Sequence, residues 1–161
     1  MSRLMVRTPA RRYRLASREE VCAAAAAYLI AELPADAYIN NALAAQALIR
    51  TRLAGLDREA FAVLFLNNRH GLIAFEVMFC GDLDKAAVYV RPIVRRALEL
   101  NAAAVVLAHN HPSGLAEPST ADELITRRLK EALALVDVRV IDHVIVTSTG
   151  GFLSFSARGL L

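Results

Sequence analysis

Seven consecutive apolar residues, Ala60-Phe61-Ala62-Val63-Leu64-Phe65-Leu66, constrain this chain more than any other feature. With no polar residue to interrupt it, the run reads as a buried strand. Asn67-Asn68-Arg69-His70-Gly71 supplies the residues of a hairpin turn and leads into a second apolar stretch, Leu72 to Phe79. A β-hairpin is therefore expected near the middle of the chain.

Helices are expected before and after it. Ser17 and Glu20 form a capping box ahead of Val21, Ala24, Ala25, Tyr28 and Leu29, which recur at helical spacing, so a helix is predicted over 18–32 and ended by Pro34. Asn40 or Asn41 can cap a second helix carrying Leu43, Ala47 and Leu48 as far as Gly55. Beyond the hairpin, a short extended piece runs from Gly81 to Val90, and Pro92 suits the first turn of a helix through Val94, Ala97, Leu98 and Leu100. Ala103 to Ala108 reads as a strand, 120–135 as a helix, 138–147 as a strand and Gly151 to Phe155 as a last short strand. The expected fold class is α/β, a mixed β-sheet flanked by helices with a short N-terminal helical layer.

At 161 residues, 56% of them hydrophobic, the chain has material for one domain with a real core. No apolar stretch approaches the roughly 18 residues of a membrane span, and the start lacks the apolar segment of a secretory signal. A cytoplasmic protein without a membrane partner is expected. Cys22 and Cys80 suit neither a disulfide framework nor a paired metal signature and read as reduced packing residues. The first twenty residues hold six arginines against Glu19 and Glu20, so the basicity lies at the N-terminus. Residues 1–17 read as a basic flexible arm that could make a weak nucleic-acid contact, 18–54 as an N-terminal helical segment and 55–161 as the main domain.

The chemistry sits after the Ala103–Ala108 strand. His109 and His111 are two apart in extended chain, which points both imidazoles to one face. Ser119 and Asp122 follow at the start of the next expected helix, across the turn-rich Pro112-Ser113-Gly114. Two imidazoles and a carboxylate make a three-ligand set for Zn²⁺ with a fourth position open for water, which suits catalysis rather than structure. Ser119-x-x-Asp122 alone reads as a helix-capping box, and Ser119 can serve both purposes.

With these residues the sequence resembles the JAMM (MPN+) metalloproteases, whose signature is an upstream glutamate followed by H-x-H-x₇-S-x₂-D. It resembles more closely the C-terminal metal domain of the bacterial RadC group, through Glu59 to Leu66, His109-Asn110-His111-Pro112-Ser113-Gly114, Pro118-Ser119-Thr120-Ala121-Asp122 and Leu153-Ser154-Phe155, over about residues 55–161. The resemblance implies a cytidine-deaminase-like JAB/MPN fold, one zinc per chain on His109, His111 and Asp122, Glu59 as general acid and base, and Ser119 steadying the oxyanion. It implies hydrolysis of a peptide or isopeptide amide in a peptide or protein substrate. Asn110 stands where many eukaryotic members carry serine or threonine, and matches the RadC-like branch. RadC proteins typically carry a helix-hairpin-helix region ahead of the metal domain, and no G-x-G hairpin turn precedes the match here.

Other acids and histidines compete. Glu76, in the second hairpin strand, is the rival base; Glu117 reads as exposed rim; His143, after Asp142, is either a partner of a metal ligand or a structural histidine; His70 belongs to a turn. The alternative function is a nucleic-acid-associated accessory protein of the RadC DNA-repair or mobile-element type, using the arginine-rich arm, with a structural or residual metal site. An HNH nuclease is set aside, because that name describes dispersed residues in a different fold.

Overall fold

The computed structural model describes residues 5–7, 12–21, 24–25, 42–81 and 88–161. Within them the chain runs β1 (Met5–Arg7), β2 (Tyr13–Leu15), α1 (Ala42–Leu53), β3 (Ala60–Leu66), β4 (Leu72–Cys80), α2 (Val90–Glu99), β5 (Ala104–His111), α3 (Thr120–Ala134), β6 (Arg139–Thr147), β7 (Phe152–Ser154) and α4 (Phe155–Arg158). Strands β3 to β7 form one mixed sheet in the order β4-β3-β5-β6-β7. All its pairs are antiparallel except β5 with β6.

Every residue of β3 is buried, because helices cover both faces. Ala45, Leu48, Ile49 and Leu53 recur along one side of α1 and pack on Ala60, Ala62, Leu64, Ala104, Val106 and Val144. On the other face Ile93 and Ala97 of α2 and Leu129 and Leu133 of α3 cover Phe61, Val63, Phe65, Val105 and Leu107. Alternation along β3 thus feeds two cores at once. The mixed sheet flanked by helices agrees with the architecture expected of a JAB/MPN fold.

The single parallel pair decides where chemistry can occur. Parallel neighbours need a crossover, here α3 between β5 and β6, so the carboxyl end of β5 lies beside the start of α3. Open α/β sheets bind ligands at such strand ends.

Some details depart from the sequence expectations, some match them and some lie outside the described residues. Cys80 ends the edge strand and is exposed instead of packed, while Cys22 lies outside the described residues. The predicted helix over 18–32 is described at 18–21 and 24–25, and its capping box is present: Glu20 N–H donates to Ser17 Oγ at 3.1 Å and Ser17 N–H to Glu20 Oε2 at 2.9 Å. Most of the extended piece from Gly81 to Val90 lies outside the described residues. The stretch read as an arm contains the antiparallel pair β1–β2. The chain after β7 turns into α4, capped by Ser154. No helix among the described residues is long and apolar enough to cross a membrane.

Candidate metal centre

His109 and His111 are the sixth and last residues of β5, and their alternation brings both rings to one face with the Nε2 atoms 2.9 Å apart. Asp122, in the first turn of α3, meets them from above. Its Oδ1 is 3.3 Å from His109 Nε2 and its Oδ2 3.7 Å from His111 Nε2. A tetrahedral centre with bonds of about 2.0–2.1 Å has ligand atoms about 3.3 Å apart, which these separations straddle. Among the described residues, these three are the group of histidine, cysteine and acidic side chains that could hold a metal ion.

Proton positions follow from the partners. His111 Nδ1 donates to the carbonyl of Leu115 at 2.7 Å, which leaves Nε2 bare in the neutral ring. The Thr126 hydroxyl donates to the backbone carbonyl of Asp122, so its oxygen accepts from His143 Nδ1 at 2.6 Å. His143 Nε2 is then an acceptor, 2.8 Å from His109 Nδ1, and His109 also turns a bare Nε2 toward Asp122. Two lone pairs and a carboxylate converging on one point repel one another unless a cation lies between them. The donor set therefore fits a divalent metal.

His143 is fully buried between Phe61 and Phe155, ring centroids 5.5 and 4.6 Å away. Burial and the neighbouring His109 push its pKa well below that of an ordinary histidine, which keeps it neutral. Burial works against the charge of Asp122, but the hydrogen bonds from Ser119, and those the histidines make when a proton takes the place of a metal on Nε2, outweigh it and hold the carboxyl well below the usual range. The same Asp122 raises His111.

Ser119 is the N-cap of α3 in a complete capping box. Its amide and its hydroxyl both donate to Asp122 Oδ2, each at 2.7 Å, and its oxygen accepts from the Asp122 amide at 3.2 Å. Oδ2 is thereby occupied from the serine side and Oδ1 is left for His109.

Glu59, His111, Ser119 and Asp122 line one open cavity of about 890 Å³. Glu59 immediately precedes β3 and is close enough to His111 to raise its pKa. Asn110 fixes that approach: its Oδ1 accepts from the Ala60 amide at 2.8 Å and its Nδ2 donates to the Arg58 carbonyl at 2.9 Å. The residue between the two histidines thus clamps both sides of Glu59.

The rival Glu76 is elsewhere engaged, in a forked pair with the Arg96 guanidinium at 2.6 to 3.1 Å that lowers its pKa. Glu117 pairs with Arg158 on the surface, and His70 occupies the β3–β4 turn with positive φ. Thr126 was not singled out from sequence. Only its position four residues after Asp122, on the buried side of α3, could have marked it.

A family model described as RadC-like JAB domain matches residues 39–160, which takes in α1 as well as the sheet. A UPF0758 protein of Alcanivorax borkumensis is 55% identical over 132 residues, covering 82% of this chain and 58% of that protein. One of Vibrio cholerae is 56% identical over 113 residues, 70% of either chain, and one of Stenotrophomonas maltophilia is 51% identical over 162 residues, 100% of this chain and 68% of that protein. The chain spans little more than half the length of the Alcanivorax relative.

Proposed function

The chain belongs to the RadC-like JAB domain family, and from that footing we propose that it is a zinc-dependent hydrolase that cleaves a peptide or isopeptide amide, with His109, His111 and Asp122 holding one zinc per chain. The observation that carries this reading is the pair of bare Nε2 atoms facing Asp122 at the mouth of an open cavity. Zinc bound there would lower the pKa of a coordinated water to about 7 and polarise a substrate carbonyl.

The chain's own groups supply the rest. Glu59 takes the proton of the attacking water and delivers it to the departing amine. The Ser119 hydroxyl has one proton, which rests on Asp122 Oδ2; turned into the cavity, it donates to the carbonyl oxygen as negative charge develops there. His143 and Thr126 keep His109 in the ligating tautomer throughout.

Metal content by plasma mass spectrometry, on the wild type beside His109→Ala and Asp122→Ala, tests the site. About one zinc per chain, lost in both folded variants, supports screening of amide substrates with Glu59→Gln as the inactive control. A wild type that holds no metal after zinc loading would sink the reading. The competing nucleic-acid role, which would show steeply salt-dependent binding, gains nothing from Arg14, because Glu20 already engages both ends of that guanidinium at 2.6 and 2.7 Å.

A further inference from the structure

The cavity wall continues along α3 past Asp122. Helical spacing lays Asp122, Ile125 and Arg128 along one wall, and at 1.5 Å rise per residue Arg128 stands about 9 Å beyond Asp122. The stretch between them is apolar, with Leu124 and Ile125 on the α3 side and Phe61 and Val88 also lining the cavity. Arg128 is the one Lys or Arg among the described lining residues. No described carboxylate pairs with it, whereas Arg14, Arg95, Arg96 and Arg158 all have acidic partners.

An exposed arginine usually needs no explanation, but this one lines the same cavity as His111 and Asp122, and shares it with the apolar Phe61, Val88, Leu124 and Ile125. A guanidinium presents a planar fork matched to a carboxylate, and the pair gains strength beside low-dielectric walls. A peptide lying in the cavity in extended form would span 9 Å in about three residues.

We propose that Arg128 is a subsite for a substrate carboxylate, so that the preferred substrates are acidic peptides whose anionic group lies about two to three residues from the amide at the metal end. This rests on the hydrolase reading above. The carboxylate can be an acidic side chain or a chain terminus; the chemistry recognised is the same.

The test uses the full chain loaded with zinc and two ligands that differ only at the far end, succinyl-Ala-Leu-hydroxamate and acetyl-Ala-Leu-hydroxamate, titrated by calorimetry. The succinyl compound is expected to bind about tenfold tighter to the wild type, with the difference lost in Arg128→Ala and inverted in Arg128→Glu. Acetyl-Glu-Leu-hydroxamate, carrying the acid on a side chain, distinguishes the two sources of the carboxylate. Equal affinities in the wild type, or a preference that survives Arg128→Ala, would overturn the subsite. If no hydroxamate binds, the metal reading fails, and Arg128 is then judged on the metal-free chain. There succinyl-Ala-Leu-amide should shift the Arg128 Nε–H resonance where acetyl-Ala-Leu-amide does not, and an unmoved resonance overturns the proposal on its own.

Discussion

Nδ1 of His109 lies 2.8 Å from Nε2 of His143, deep under the cavity floor. The contact ties a candidate ligand on β5 to β6, and through Thr126 to the backbone of Asp122 on α3. Thr126→Val keeps the shape and removes the terminal acceptor of this chain. It should weaken zinc binding by about 10- to 100-fold, measured by competition with a chromophoric chelator, while the wild-type fold is retained by circular dichroism. Unchanged affinity would mean that the orientation of His109 is set by packing, as in its stacking on Phe61 with ring centroids 6.1 Å apart, and not by this chain of hydrogen bonds.

The neutral state of His143 has a pH signature in the metal-free chain. Its folded pKa is depressed, so below the unfolded value of about 6.5 the unfolded chain takes up a proton that the folded chain refuses. Stability is therefore whole above pH 6.5 and lost as pH falls from there toward the folded pKa. Between pH 7.5 and 5.5 the wild type should lose about 1.4 kcal/mol relative to His143→Gln, read by urea denaturation at the two values. A constant difference would contradict the neutral buried histidine.

Asn110 should separate metal binding from catalysis. Asn110→Ala leaves the buried Ala60 amide without its side-chain acceptor, a loss of about 1–3 kcal/mol, and frees the backbone on both sides of Glu59. Zinc stoichiometry should hold while turnover drops. Loss of both together would place Asn110 in the support of the histidines instead.

The two candidate bases predict opposite results. Glu59→Gln should keep the metal and lower turnover by about 10²- to 10⁴-fold, whereas Glu76→Gln should leave turnover intact. The Glu76–Arg96 pair is about one-third exposed, so its removal should cost about 1 kcal/mol or less. Glu76 has a depressed folded pKa, so even that contribution is present above its unfolded pKa of about 4.3 and is lost as pH falls through the lower folded value.

Much of this was legible in local pattern. β3 falls on its seven-residue apolar run, and the i, i+2 spacing of His109 and His111 in extended chain suffices to aim both rings at one point. Ser119 and Asp122 form the box their spacing suggests. Contacts made across the fold were less legible. Nothing near Thr126 or His143 says that 17 residues apart they share a hydrogen bond. α4 is equally obscure in sequence, because Asp142 of β6 holds it: Asp142 accepts from the Ser154 hydroxyl and the Ser156 amide, bonds that no helical periodicity reveals. β1 and β2 are three residues each, with exposed side chains at Tyr13–Leu15, too short for any alternation to announce a strand.

The three candidate ligands, two imidazoles and a carboxylate, come from a single short stretch, residues 109 to 122, while Glu59 arrives with the hairpin, whose Ala60 lies fifty residues upstream of Asn110. Closing a loop that short is entropically cheap. The three candidate ligands are thus brought together by one strand-turn-helix segment, with His109 steadied from β6, whereas Glu59 reaches the cavity only when the hairpin is in place.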